Sequence, residues 1–438
     1  MKKFSVVILS VVLFIAGCAR NQSSEEKSTT AFTIDSLQVI LRTIPGNPVV
    51  AAGFYQKGGT RYVPGDQAGI ERFLFETATH GTESLSKDEL NASLESMGTN
   101  LNIEAQYDYN GLTMTCLRRS FTDSWDIFSD VLLHPSFQEK EIELVREQLL
   151  SSIRSEQDEP DSYVQLLSNN LYYQAHPYAV SLFGTESFVS NVSRDALLEY
   201  HDTQITKARA LMVIVGDLTR DDVQEQVRSL AAGLPAGTSR PDTGDDKGYD
   251  AGPPDVTVAE RNIPTNYIRG LCPAPTPGSA DYPAFASAFR ILDNKLFEEI
   301  RTKRNLSYAP AAGSSRREDN YGIIYVSTTQ PDTTLRVMFR TIEQMADEPL
   351  TEKELSDEIS QAITRDLMNQ ETAAAQMDQL VMFEIVGGDW RQAAAYIDRL
   401  RELTPQDIRE AIGRYAHNFH FGVVGHPDQI SETLFTSR

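Results

Sequence analysis

The same order of predicted elements occurs twice along this chain, on either side of a segment rich in Gly, Pro, Asp and Thr at 236–254. Each half begins with short alternating strands, continues into a long helical pattern, and closes with an apolar strand that runs into a glycine turn. The closing strands occupy 211–217 and 421–427. Because strands alternate with helices in both halves, the sequence predicts an α+β fold built from two tandem copies.

The long helical patterns strengthen this prediction. They run over 135–154 and 349–368, and in both a proline is followed within three residues by a polar residue and then by glutamates. A polar cap with an acidic first turn is typical of a helix N-terminus. At 438 residues the chain is also too long for one ordinary core. We therefore predict an N-terminal domain over 31–235, a linker over 236–254 and a C-terminal domain over 255–438.

The first residues predict export and a lipid anchor. Lys2 and Lys3 precede an apolar run over 4–15, which is too short to span a bilayer and ends in Ala16, Gly17 and Cys18. This end resembles the bacterial lipobox, which implies that 1–17 is a signal peptide and that Cys18 is lipidated. Ala19 follows the cysteine, and by analogy this favours the outer membrane, facing the periplasm. The alternative is an ordinary signal peptide with an incidental cysteine.

Composition and charge predict a flexible tether and argue against a nucleic-acid partner and a disulfide scaffold. Residues 18–30 are polar and Ser/Glu-rich, as expected of a flexible tether. The formal net charge is −22, and removal of Lys2 and Lys3 with the signal makes it −24. Such a field repels phosphate backbones, so we expect no nucleic-acid partner. Only Cys116 and Cys272 follow Cys18, which excludes a disulfide scaffold.

Three segments carry a resemblance to a known family. Residues 69–82 read GIERFLFETATHGT, residues 176–178 read HPY, and residues 296–308 read LFEEIRTKRNLSY. The first segment resembles GLAHFLEH followed five residues later by GT, the helix of the insulinase and mitochondrial processing peptidase family. The resemblance runs through nearly the whole mature chain. It implies two homologous α/β-sandwich domains of the processing-peptidase, LuxS/metallohydrolase-like type.

The zinc motif of that family is degenerate in this chain. Active relatives carry an inverted His-x-x-Glu-His motif whose histidines bind zinc and whose glutamate activates water. The three positions here are Arg72, Phe75 and Glu76, and the distal acidic ligand falls near Ser152. Arginine stays protonated and offers no lone pair to a cation, and phenylalanine cannot accept a proton. We therefore expect no catalytic residue, metal or other cofactor on this chain.

Two alternatives concern the same helix. Glu71, Glu76 and His80 could form a relocated metal site, since Glu76 and His80 are four residues apart and share a helix face. Alternatively, Arg72 and Glu76 form an i,i+4 ion pair where the metal of active relatives lies. An exposed pair of this kind stabilises a helix by only a few tenths of a kcal/mol, about 0.3–0.5.

The C-terminal half retains a second family motif. Arg304 and Tyr308 match the Arg-x-x-x-Tyr pattern of the family's C-terminal domain, although Asn305 replaces a common glycine. In two-chain bacterial relatives this pair and the zinc motif lie on different polypeptides. The resemblance therefore implies that Arg304 and Tyr308 bind the substrate backbone for a partner's zinc, as donors to a peptide carbonyl. The alternative is that Arg304 only pairs with acidic neighbours and Tyr308 belongs to the core.

The sequence thus predicts a non-catalytic subunit of a heterodimeric zinc endopeptidase. Its expected partners are a related peptidase subunit that carries the zinc motif, a peptide substrate, and a membrane reached through the lipid anchor. A lipid-anchored scaffold or peptide-binding protein without a role in proteolysis is the alternative, because respiratory-complex core subunits resemble this family without peptidase activity.

Overall fold

The computed structural model describes residues 28–238 and 249–438. The predicted signal peptide, Cys18 and most of the tether lie outside the described residues, as does the central part of the predicted linker. Within the described ranges, no helix is both long enough and apolar enough to cross a membrane. Cys116 and Cys272 are buried free thiols.

The first half forms a sheet with helices packed against it. Its strands are β1 (Thr29–Ile34), β2 (Leu37–Thr43), β3 (Val49–Lys57), β4 (Asn100–Ala105), β5 (Tyr109–Leu117) and β6 (Ala210–Gly216). Its helices are α1 (Ile70–Ala78), α2 (Lys87–Met97), α3 (Phe121–Leu133), α4 (Glu139–Asp158), α5 (Pro160–Tyr173), α6 (Glu186–Val189), α7 (Arg194–Gln204) and α8 (Arg220–Gly233).

The second half repeats this arrangement. Its strands are β7 (Asp255–Glu260), β8 (Asn266–Pro273), β9 (Ala311–Ser314), β10 (Tyr321–Thr328) and β11 (His420–Gly425). Its helices are α9 (Tyr282–Leu296), α10 (Pro331–Asp347), α11 (Glu352–Met368), α12 (Ala373–Val381), α13 (Gln392–Arg401), α14 (Pro405–Tyr415) and α15 (Glu432–Phe435).

Strand order confirms the predicted duplication. The first sheet runs β1-β2-β6-β3-β5-β4 and the second runs β7-β11-β8-β10-β9. Without the outer strand β1, the two orders are the same, and each has one parallel pair, β2 with β6 and β7 with β11. The remaining strand pairs are antiparallel. The chain is therefore an α+β protein of two tandem domains with a shared topology.

Two element ends differ from the sequence-based expectation. The predicted tether extends to residue 30, but β1 already begins at Thr29, which pairs with Arg42 of β2 and accepts a hydrogen bond from its Nε at 2.9 Å. The sequence predicts a polar cap at the start of both long helices. Thr351 caps α11, because its Oγ1 accepts from the backbone N–H of Glu354 at 3.2 Å. Gln138 precedes α4 without a side-chain cap.

Each half covers the sheet of the other half with one helix. Helix α12 packs on the first sheet, where Met377 and Leu380 join a buried cluster with Ile40 and Val213. Helix α5 packs on the second sheet, where Tyr172 and Tyr173 join Leu271 and Tyr321, as part of a second buried cluster. Helix α5 follows α4, and helix α12 follows α11. Helices at equivalent positions in the two halves therefore make the contact between them.

A glycine permits the close approach of α5 to the second sheet. A Cβ on Gly422 of β11 would lie 2.8 Å from the backbone nitrogen of Ser168 and 3.0 Å from the carbonyl oxygen of Val164. Both atoms belong to α5, and neither can move without shifting the helix. The absence of a side chain at Gly422 therefore sets the distance between helix and sheet.

Candidate functional site

Helix α1 carries the segment that resembles the zinc motif, and two glycines fix where it begins. Gly69 precedes the helix with a φ of 100°, a region that favours glycine. A Cβ on Gly69 would lie 2.8 Å from the Cα of Gly184, and one on Gly184 would lie 2.3 Å from the carbonyl oxygen of Ala68. The start of α1 is thus held against the 181–184 segment, which brings Phe183 beside the first turn of the helix.

Arg72 and Glu76 form the predicted i,i+4 ion pair. The Nε of Arg72 donates to Oε1 of Glu76 at 2.7 Å, and the two side chains are 26% and 20% exposed. The guanidinium carbon of Arg72 also lies 4.6 Å from the ring centroid of Phe183. Two contacts, a charge-assisted hydrogen bond to Glu76 and a cation–π contact with Phe183, therefore restrain Arg72.

The structure brings two of the degenerate positions together and separates a third. Ser152 of α4 and Arg72 line the same cleft, as expected if Ser152 stands at the position of the distal ligand. Phe75 instead points into the first core and is only 2% exposed. Burial of an apolar ring stabilises the fold, whereas a catalytic carboxylate at this position would have to face the cleft.

The residues present do not fit a zinc ion. Zinc needs deprotonated nitrogen, sulfur or oxygen donors that converge within about 2.0–2.3 Å of one point. Arg72 is a protonated cation at the position of the first histidine, and it engages Glu76. Within the described ranges, no group of three or more His, Cys, Asp or Glu side chains could hold a metal.

The three residues of the alternative metal site have separate partners. Glu71 is buried and accepts from Tyr200 Oη at 2.7 Å. His80 lies 3.1 Å from a carboxylate oxygen of Glu141. Burial lowers the pKa of His80, with the nearby charge of Lys87 adding to the effect. Because Glu76 engages Arg72, the structure does not assemble a relocated site on α1.

The cleft beside Ser152 lies between the two halves. It encloses about 430 Å³ and contains an acidic residue, Glu156, one helical turn beyond Ser152. Burial raises the pKa of the Glu156 carboxyl, although a hydrogen bond with Ser181 opposes the shift. The other lining residues are Arg72, Tyr107, Ser155, Ser162, Gln165, Leu166, Asn169, Ser181, Leu182, Phe183 and Arg317.

Sequence reasoning missed Arg317, which reaches the cleft from the second half. Its guanidinium carbon lies 3.8 Å from the ring centroid of Tyr107 and 5.0 Å from that of Tyr321. Nearby, Asp108 accepts from Tyr178 Oη, and burial raises the pKa of Asp108 to about 6. The sequence offers one signal for this region, the HPY segment at 176–178 that carries part of the family resemblance.

Arg304 and Tyr308 lie on the surface of the second half. Tyr308 is 78% exposed, so the alternative in which it belongs to the core is wrong. The guanidinium carbon of Arg301 lies 4.2 Å from the Tyr308 ring centroid. Arg304 donates through Nη1 to Oε2 of Glu299 at 2.5 Å, as the acidic-neighbour alternative expects. A substrate-binding role for Arg304 and Tyr308 stays a prediction.

Two family models match the chain. The model described as Insulinase (Peptidase family M16) matches residues 38–186, and the model described as Peptidase M16 inactive domain matches residues 191–362. Curated relatives include an uncharacterized zinc protease of Bacillus subtilis, YmxG, which is 20% identical over 85% of this chain and 92% of the relative. An uncharacterized zinc protease of Mycobacterium leprae is 21% identical over 88% of both chains.

Solved structures share the fold. A peptidase M16 inactive-domain protein from Pseudomonas fluorescens superposes with a TM-score of 0.83 at 17% identity, covering 91% of this chain and 98% of its own. A protease from Helicobacter pylori superposes with a TM-score of 0.82 at 15% identity, covering 91% and 99%. With the duplicated topology and the degenerate helix α1, these matches assign the chain to the insulinase-type M16 peptidase family.

Proposed function

We propose that this chain is a non-catalytic subunit of a heterodimeric zinc endopeptidase. The observation that carries the proposal is the Arg72–Glu76 ion pair, which occupies the positions of the two zinc histidines of active relatives. A guanidinium has no lone pair to donate to a metal, and it engages the one carboxylate beside it. Zinc would therefore be supplied by a related partner chain with an intact motif, and this chain would supply substrate contacts.

The geometry around Tyr308 supports a substrate contact. A tyrosine ring that is 78% exposed gains little from burial within its own chain, and a cation–π contact with Arg301 restrains it. Arg304 is 39% exposed on its side chain and is restrained by Glu299. An exposed phenol beside a restrained guanidinium offers donors for a peptide carbonyl on another molecule.

The test mixes the mature chain with a related chain that carries His-x-x-Glu-His. We expect peptidase activity toward an unfolded peptide to rise at least about tenfold on mixing, and Arg304→Ala to remove most of that gain, because a charge-assisted hydrogen bond contributes about 1.5–3 kcal/mol. The measurement is the initial rate of cleavage of a quenched fluorescent peptide as the ratio of the two chains is varied.

Arg391→Ala is the matched control, since Arg391 is also an exposed arginine of the second half that pairs with a nearby carboxylate, Asp389, at 3.2 Å. The control should leave the gain intact. An absence of gain with any such partner, while the two chains still bind each other, would instead favour a scaffold role and refute the helper-subunit proposal.

We also infer that the protein is anchored at the cell envelope through Cys18. The supporting feature is the lipobox-like end of the apolar run at Ala16, Gly17 and Cys18. Lipidated chains partition with membranes, because acyl chains add about 0.8 kcal/mol per buried methylene. Cys18→Ala should move the protein from the membrane fraction to the soluble fraction of the envelope. If the variant and the parent distribute alike, the anchor lies elsewhere.

A further inference from the structure

Two arginines, one from each half, line the cleft beside Ser152 without filling their hydrogen-bonding capacity. Arg72 comes from α1 and Arg317 from the segment between β9 and β10. Guanidinium groups present five N–H donors in a planar arrangement. When buried or half-buried donors lack acceptors, a ligand that supplies them is favoured.

Arg72 is oriented for a ligand. Its Nε donates to Glu76, and its guanidinium carbon lies 4.6 Å from the ring centroid of Phe183. Within residues 28–238 and 249–438, neither Nη1 nor Nη2 of Arg72 has a protein acceptor. A guanidinium that is already restrained by a carboxylate and an aromatic ring loses little conformational entropy when its remaining N–H groups bind. The two free Nη groups are thus prepared for a planar acceptor.

Arg317 is held by aromatic rings. Tyr107 and Tyr321 contact its guanidinium carbon at 3.8 and 5.0 Å from their ring centroids. Its Nη1 is buried, and no hydrogen-bond partner for that nitrogen occurs in the described part of the chain. Aromatic contacts stabilise the charge but leave Nη1 without an acceptor. Arg317 therefore lines the cleft, and its unmet Nη1 donor lies beneath the cleft surface, closed to solvent in this structure.

Net charge alone does not favour an anion here. Glu76 faces Arg72 from the same helix, Glu156 lies in the cleft, and Asp108 lies near Arg317. Carboxyl groups thus balance the two arginines, and the attraction for a ligand has to come from direct hydrogen bonds to the unfilled donors. Such contacts require a compact acceptor with two coplanar oxygens, which a carboxylate provides.

We propose that this cleft binds a carboxylate, taken as the free C-terminus of a peptide. The volume of about 430 Å³ falls within the range of small-ligand sites, about 300–1,000 Å³. The hydroxyl of Ser155 and the amides of Gln165 and Asn169 line the same space and suit the polar backbone of the last residues. The site lies within this chain, so the inference does not rest on a zinc-bearing partner.

The test uses calorimetric titration of the full mature chain with three short peptides. They are acetyl-Ala-Ala-Ala with a free C-terminus, the same peptide amidated, and acetyl-Ala-Glu-Ala-amide, which carries its carboxylate on a side chain. We expect the free acid to bind at least about tenfold more tightly than the amidated form, since charged hydrogen bonds are lost on amidation. Comparable binding of acid and amide, or no binding of the acid at millimolar concentration, overturns the proposal.

Variants assign the binding to the cleft. Arg72→Gln combined with Glu76→Gln removes the guanidinium without leaving a bare carboxylate, and Arg317→Gln removes the second donor. Each should weaken binding of the free acid at least about tenfold. Arg228→Gln, which alters an exposed arginine that pairs with Glu225 at 2.8 Å, should have no effect.

Circular dichroism melting verifies that each variant is folded. If Arg317→Gln does not fold, the double variant Arg72→Gln/Glu76→Gln still tests the site. Unchanged binding in the folded double variant overturns the assignment to this cleft. Equal affinity for the internal glutamate peptide and the free acid overturns the assignment to a chain terminus.

Discussion

Glu71→Ala is expected to destabilise the first half by about 3–5 kcal/mol, because it leaves a buried cation without its counter-charge. The Glu71 side chain is 5% exposed and lies 3.6 Å from Nη2 of Arg209, which is equally buried. Asn110 and Tyr200 also donate to its carboxylate. Loss of this group removes several charge-assisted hydrogen bonds at the base of α1.

Urea denaturation followed by tryptophan fluorescence measures this effect. Trp125 is buried in the core of the first half, whereas Trp390 lies at the contact between the halves. A Trp390→Phe background makes the signal specific to the first half. Glu71→Gln keeps the shape of the side chain and part of its hydrogen bonding, so it should lower the free energy of unfolding less than Glu71→Ala does.

Glu76→Ala is the control from the same helix. Its partly exposed pair with Arg72 should contribute less than about 1 kcal/mol. Equal losses for Glu71→Ala and Glu76→Ala would contradict the distinction between a buried structural carboxylate and a carboxylate at the cleft.

Arg269→Ala is expected to weaken the contact between the halves by about 2–4 kcal/mol. Arg269 lies on β8, is 5% exposed, and reaches across to α5. Its Nη1 donates to Ser168 Oγ at 2.5 Å and to Asn169 Oδ1 at 3.1 Å, while Nη2 donates to Tyr321 Oη at 3.0 Å. Truncation leaves these acceptors without a donor and opens a cavity beneath α5.

Limited proteolysis and thermal melting measure the loss, since separation of the halves exposes α5 to cleavage. Arg261→Ala is the matched control. Arg261 also crosses between the halves, but its Nη1 donates to the backbone oxygen of Asp158 at an exposed position, at 2.6 Å. Equal protease sensitivity of the two variants would show that buried Arg269 contributes no more than a surface contact.

Local sequence patterns predicted the repeated elements well. The closing strands predicted at 211–217 and 421–427 are β6 and β11. These elements have strong apolar patterns bounded by glycine turns, and such signals depend on neighbouring residues alone. The i,i+4 pair of Arg72 and Glu76 was predictable for the same reason, because helical spacing fixes which side chains meet.

Contacts between segments that lie far apart in the sequence could not be predicted from local patterns. The surroundings of Arg317 are Tyr107, Tyr173, Tyr178 and Tyr321, which are spread over both halves. The exchange of α5 and α12 between the two sheets likewise depends on how the halves pack. The burial of Phe75 follows from its apolar ring, although the resemblance aligns it with the glutamate that activates water in active relatives.

If a partner chain supplies the zinc and this chain supplies substrate contacts, both bound zinc and peptidase activity should require the partner. The most direct measurement is zinc content by mass spectrometry together with peptidase activity, for the purified mature chain alone and mixed with its zinc-motif relative. The account predicts no bound zinc and no cleavage for the chain alone, and one zinc per heterodimer with activity in the mixture. Stoichiometric zinc and cleavage in the single chain would contradict it, and would show that Arg72, Phe75 and Glu76 had been assigned to the wrong positions.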